Sequence, residues 1–166
     1  MLLNLHDIID IPDAAVDFDY EPDLSDAAGG SVTAVPGPSR AVGSVRNTAG
    51  VLTFTADVET KLACVCARCL KEFEKHVNRH ISVILSPEGE EDEIDSPDVY
   101  PLDGDCVETD DIVVGEFILN MEQRQLCRED CKGLCETCGA DLNDGPCACK
   151  KEIDPRLAVL GQLLGE

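Results

Sequence analysis

A chain of 166 residues with 43% hydrophobic residues is long enough for one modest core and a small appendage, and an aromatic share of 4% without any Trp makes that core one of Val, Leu, Ile and Ala. The formal charge of -21 excludes a surface that attracts phosphate backbones broadly, and the shortage of aromatics excludes a stacking platform for single-stranded bases. No apolar run reaches the ~20 residues of a membrane span, and the first Lys or Arg is Arg40, the wrong pattern for a secretory signal.

The expected compartment is therefore the cytoplasm, where the 10 cysteines stay reduced and favour metal over disulfides. Along the chain, residues 1–39 mix short apolar patches with Asp, Gly and Pro, and Asp13 to Gly30 reads as loop. Arg40 to Arg46 is a candidate strand with a turn at Thr48-Ala-Gly50. Leu52, Phe54, Ala56, Val58, Leu62, Cys64 and Cys66 then fall on alternate positions, with Thr53, Thr55, Asp57, Glu59 and Lys61 on the other face, the pattern of a half-buried strand. Phe73, Val77, Ile81, Val83 and Leu85 keep the same period, so the two runs form a hairpin whose tip is Cys66-Ala-Arg-Cys69-Leu-Lys.

From Ser86 to Asp111 there are twelve carboxylates and no Lys or Arg, broken by three prolines, which reads as a solvated acidic loop. Thr109-Asp-Asp111 predicts a helix start with a capping hydroxyl, and Ile112 to Met121 gives that helix a broad apolar face. A last helix is expected from Asp154-Pro155, carrying Leu157, Leu160 and Leu164. The expected fold is α+β: an antiparallel β-sheet or partial barrel with one or two short helices and a C-terminal cysteine-rich zinc-knuckle region. Its divisions are a β-rich core over 1–126 with acidic loop 86–111, a zinc-binding cluster over 127–152, and a C-terminal helix over 153–166.

The chemistry lies in the cysteines. A Cys-x-x-Cys pair on a tight turn holds one tetrahedral ion from two sides, and zinc is the usual choice for thiolate donors. Cys135, Cys138, Cys147 and Cys149 can close on themselves through the turn-forming loop that ends in Asn143-Asp-Gly-Pro146. Cys127 and Cys131 are then left for Cys66 and Cys69, a second site between the hairpin tip and the end of the helix. The competing division is one ion held by Cys66, Cys69, Cys135 and Cys138. One or two zinc ions per chain are expected accordingly.

Cys64 falls on the apolar side of its strand and reads as core, whereas Cys106 falls in the acidic loop and reads as a free, poorly nucleophilic thiol. His76 and His80 read as exposed strand residues. No nucleophile elbow, phosphate-binding glycine loop or Cys–His pair stands out, so no catalytic residue is expected. Arg128, Lys132, Lys150 and Lys151 beside the cysteine cluster are the weak candidates for RNA contact.

At Val65-Cys66-Ala-Arg68-Cys69-Leu70, at Cys127 to Asn143, and at Cys147-Ala-Cys149 with Asp154-Pro-Arg156, the chain resembles the YceD family, from about Arg40 onward. The resemblance implies a non-enzymatic ribosome-biogenesis factor that supports accumulation of 23S ribosomal RNA in the bacterial cytoplasm. The expected partner is a ribosomal protein or a large-subunit precursor, met through protein contacts, with direct RNA contact disfavoured by charge and no membrane. A direct RNA-binding zinc module and a zinc–thiol redox sensor are the alternatives. One departure is the stretch Met121-Glu-Gln-Arg-Gln125, where the family commonly places a Pro before the cysteines.

Overall fold

The computed structural model describes residues 1–86 and 99–149. The expected C-terminal helix, Lys150, Lys151 and residues 87–98 of the acidic segment lie outside the described residues.

Alternation of apolar and polar side chains dictates the framework. Strand β5 (Val51–Val65) and strand β6 (Glu72–Ser86) form the predicted hairpin, antiparallel from Leu52 opposite Leu85 to Val65 opposite Glu72. Strand β4 (Arg40–Thr48) pairs with β5 on its other side and runs two residues beyond the expected Arg46. β2 (Ala15–Tyr20) adds an edge on β4, β3 (Val32–Ala34) pairs with the far end of β5, and the short β7 (Val99–Pro101) lies parallel to β6. The six-stranded sheet is thus antiparallel except at β7. A second, two-stranded sheet joins β1 (Leu2–Asn4) to β8 (Cys106–Glu108).

One face of the large sheet carries the core. Phe54, Val58, Leu62, Ile81, Val83 and Leu85 are buried there with Leu5, Leu24, Leu102, Ile112, Val113 and Phe117, each contributing about 1.5–3 kcal/mol of transfer free energy. The covering elements are helix α1 (His6–Ile9), a 3₁₀ turn at Ser25–Ala27, and helix α2 (Thr109–Leu119). Asn47 is fully buried and satisfied: its Nδ2 donates to the carbonyls of Ile8 and Ile9, and its Oδ1 accepts from Gly50 N–H. The opposite face is open, with Val42, His76, His80 and Ile84 exposed and His80 Nδ1 2.9 Å from Asp57 Oδ1.

Three sequence expectations are corrected. The supposed loop from Asp13 to Gly30 contains β2, whose Val16 and Phe18 turn inward while Asp17 and Asp19 turn out; a six-residue alternation beside acids was masked by its polar neighbours. Thr109 does not cap α2: its hydroxyl donates to the Met1 carbonyl at 2.9 Å, and the cap position is Glu108 without a side-chain bond. Cys106 lies in β8, half-buried opposite Asn4, rather than in a loop. Cys64 is buried in the core as expected.

Candidate metal centres

The hairpin tip is a knuckle because of its backbone bonds. Cys66 N–H donates to the Lys71 carbonyl at 2.9 Å and Leu70 N–H to the Cys66 carbonyl at 3.0 Å, so the chain doubles back with both sulfurs on the inside. The same pattern recurs at the second pair, where Cys135 N–H donates to the Ala140 carbonyl and Gly139 N–H to the Cys135 carbonyl, both at 2.8 Å. Two copies of one turn thus present two Cys-x-x-Cys pairs.

The partners of the first pair arrive from α2. Gln125, buried, fixes the approach: its carbonyl accepts from Ala67 N–H at 2.8 Å, its Oε1 accepts from Lys75 Nζ at 3.1 Å, and its Nε2 donates to the Glu122 carbonyl. This places Cys127 and Cys131 over the tip. Arg68, between the two cysteines of the tip, donates through Nη1 to the carbonyls of Cys131 and Glu129 at 2.8 and 3.2 Å.

Two tetrads result, Cys66/Cys69/Cys127/Cys131 and Cys135/Cys138/Cys147/Cys149, with the four sulfurs of each lying within 4.8 Å of one another. The spacing decides what they are built for. Cys66 Sγ is 3.8 Å from Cys131 Sγ and Cys69 Sγ is 3.7 Å from Cys127 Sγ. A disulfide needs about 2.05 Å, whereas the edge of a tetrahedron of thiolates about 2.3 Å from a central ion is about 3.8 Å. The donor set and its geometry fit a tetrahedral, thiophilic ion such as zinc. Among the described residues the eight expected cysteines are brought together in this 4 + 4 division, and the competing set of Cys66, Cys69, Cys135 and Cys138 is not.

The two sites differ in shelter. Cys66, Cys69 and Cys131 are buried and form a small apolar cluster with Leu126, Cys127, Leu134 and Phe73, while Cys138 and Cys149 are exposed. Each tetrad contains one thiol prepared as a thiolate. Burial pushes the Cys66 thiol up, but the N–H groups of Cys127, Cys69 and Arg68 outweigh it and bring it down to about 6. The amides of Cys138 and Thr137 and the Cys147 thiol bring Cys135 to about 6. Others are held as thiols: burial and then the neighbouring sulfurs push Cys127 up to about 12, and the hydrogen-bonded Cys138 sulfur, with burial, pushes Cys149 up to about 12. Cys69 and Cys147 are also raised: the amides of Lys71 and Cys149 pull them down, and burial with adjacent sulfurs overrides that pull.

A raised thiol holds its proton at neutral pH and must surrender it to the ion. Loading at pH 7.5 is therefore expected to release at least two protons per ion, from Cys69 and Cys127 at one site and Cys147 and Cys149 at the other, so affinity falls at least about 100-fold per unit of pH decrease. Below about 6 the protonation of Cys66 and Cys135 steepens the loss. Calorimetric titration of the apo chain in buffers of differing ionisation enthalpy counts these protons; a count near zero contradicts the assignment.

The position after the second cysteine is left-handed in both knuckles, Gly139 at φ 72° and Leu70 at φ 60°. A side chain pays for that conformation, and Leu70 is 65% exposed, so packing offsets little of the cost. Leu70→Gly is expected to raise the unfolding free energy of the metal-loaded chain by about 1 kcal/mol, read from denaturant melts; a loss of similar size contradicts the strain.

The YceD family model, described as "Large ribosomal RNA subunit accumulation protein YceD", matches residues 54–164, which take in both knuckles. The chain belongs to the YceD family. An uncharacterized protein of Mycobacterium bovis is 30% identical over 118 residues, 70% of this chain and 56% of the relative, and two uncharacterized proteins of Mycobacterium tuberculosis match to the same extent. This YceD chain thus spans about half the length of the curated relatives it matches. No solved structure matches it. Among the described residues no helix is long and apolar enough to cross a membrane.

Of the residues expected to contact RNA, Arg128 is engaged within this YceD chain, its Nη2 2.7 Å from Asn143 Oδ1 and its Nε 3.5 Å from Asp130, and Lys132 donates its backbone N–H to Asn143 at 2.8 Å. The sequence does not reveal that Arg68, Gln125 and Asn143 hold the sites in place through their hydrogen bonds. The sequence marks Asn143 as a turn residue and carries no sign of its approach to Cys131.

Proposed function

We propose that this chain is a non-enzymatic, zinc-stabilised factor of large ribosomal subunit biogenesis that supports accumulation of the large-subunit RNA and works through protein contacts in the cytoplasm. The family match over residues 54–164 carries this reading, because it embraces the hairpin from Phe54 onward and every cysteine of both tetrads. The cysteines support a structural role: a catalytic zinc keeps an open position, whereas four protein sulfurs leave none. A formal charge of -21 suits a basic ribosomal protein better than bare RNA.

The tagged chain, loaded with zinc, is expected to cosediment with large-subunit precursors in cell extracts, and depletion is expected to lower large-subunit RNA relative to small-subunit RNA. A chain that sediments free of precursors even when assembly is stalled contradicts the proposal. Salt-sensitive binding to naked ribosomal RNA that weakens when Arg128 and Lys132 are neutralised contradicts its protein-contact half.

A further inference from the structure

Asn143 belongs to the loop of one tetrad and touches a sulfur of the other. It lies between Cys138 and Cys147, yet its Nδ2 is 3.5 Å from Cys131 Sγ. The surrounding bonds determine which way the amide faces. Oδ1 accepts from the Lys132 N–H at 2.8 Å and the Arg128 guanidinium at 2.7 Å, and Nδ2 donates to the Asp141 carboxylate at 2.6 Å. Since a carboxylate only accepts and a guanidinium only donates, the amide cannot be reversed, and its second N–H is directed at the sulfur.

The loop that carries Asn143 is short and has few supports of its own. Leu142 N–H donates to the Gly133 carbonyl at 2.9 Å, Leu134 and Asp141 form an isolated bridge, and the ends of the loop are the two halves of the exposed tetrad. A segment of this size without a core holds its shape through the ion that joins its ends. On the other side, Leu134 N–H donates to the Arg68 carbonyl at 3.1 Å, so the second knuckle is docked on the first.

We propose that Asn143 couples the two metal sites: an ion in the exposed Cys135/Cys138/Cys147/Cys149 tetrad orders the loop that delivers the Asn143 N–H to Cys131, and thereby tightens the ion held by the buried tetrad. Four thiolates around a divalent ion leave a net charge near -2, and an N–H directed at one sulfur offsets part of it. Removing such an outer contact costs about 10- to 100-fold in metal affinity. Linkage makes the coupling reciprocal, so filling the buried site tightens the exposed one by the same factor. The inference rests on the reading of both tetrads as metal sites.

The test uses the full chain and Co²⁺, whose thiolate charge-transfer bands report each site, in competition with a chelator. The unaltered chain is expected to bind two equivalents; fewer than two overturns the reading of the tetrads and the coupling with it. With two bound, Asn143→Leu is expected to weaken the buried site about 10- to 100-fold. Asn143→Asp keeps an acceptor for Arg128 and the Lys132 amide but sets a carboxylate against the sulfur, and is expected to weaken the site at least as much. Emptying the exposed tetrad with Cys135→Ser and Cys138→Ser is expected to weaken the buried site by a similar factor, and adding Asn143→Leu to that variant is expected to change nothing further. A buried site indifferent to Asn143, or factors that simply multiply, overturns the proposal. So does loss of metal from the exposed tetrad alone on Asn143→Leu, since Asn143 would then serve only its own loop.

Discussion

Chelating the metal, or changing Cys66 to Ser, is expected to unfold one end of the molecule and leave the sheet standing. The end is held by little else. Its apolar cluster consists of Cys66, Cys69 and Cys131 with partly buried Leu126, Cys127, Leu134 and Phe73, whereas ordering backbone costs about 1–2 kcal/mol per residue. Binding of a structural zinc contributes on the order of 10 kcal/mol at neutral pH, and that binding free energy is folding free energy. The sheet has its own core around Phe54, Val58, Ile81, Val83 and Phe117, and among the described residues Phe73 alone packs against both clusters. Hydrogen exchange is the decisive measurement. The amides of Ala67, Leu70, Leu134 and Cys135, all donors at the metal end, are expected to lose protection by a factor on the order of 1,000 or more on chelation. Those of Phe54 and Val58 are expected to stay within about tenfold. Uniform loss across the sheet, or no loss at the tip, contradicts the picture of a separately held end.

A defect in the sheet rather than at the metal end is expected from Gly43→Val. A Cβ at Gly43 would lie 2.0 Å from the Thr55 carbonyl oxygen, 2.7 Å from the Phe18 ring and 2.8 Å from the Ala56 Cα. Two of the three are backbone atoms and cannot rotate away. Gly43 sits opposite Phe18 in β2 and opposite Ala56 in β5, and the Phe18 ring crosses this gap to stack on Phe54 with centroids 5.0 Å apart. A side chain there must push β4 off β5 or expel the ring, at a cost of about 3 kcal/mol or more. Denaturant melts should show the lost stability, while Co²⁺ binding under native conditions remains near two equivalents. A midpoint within experimental error of the unaltered chain contradicts the close approach.

The two expectations mark what was legible in the residues alone. The β5–β6 hairpin could be read because fifteen-residue strands repeat their alternation long enough to be unmistakable. The tetrads could be read because two local motifs leave few ways to divide eight sulfurs, and the pairing of Cys66 and Cys69 with Cys127 and Cys131 followed by exclusion. What could not be read depends on contacts between distant segments. The three-residue pairing of β1 with β8 has no periodic signal, and the Thr109 hydroxyl, placed in sequence like a helix cap, donates instead to the distant Met1 carbonyl. Gly43 carries no mark in the sequence of the ring that will lie over it. Asn143 had a complete local explanation as a turn residue, which hid its reach to Cys131.

The separation of Cys69 from Cys127 by 58 positions also has a consequence for how the protein is made. At a synthesis rate of roughly 5–20 residues per second, the hairpin tip waits about 3–12 s for the second half of its site. During that interval β4, β5 and β6 are already available to pair, but the tip offers an ion only two sulfurs. The other tetrad lies wholly within residues 135–149 and is complete within about 1–3 s of its first cysteine at the same rate. Birth order therefore runs from sheet to clasp, and the older pair of cysteines can complete a four-sulfur site only when the younger segment arrives.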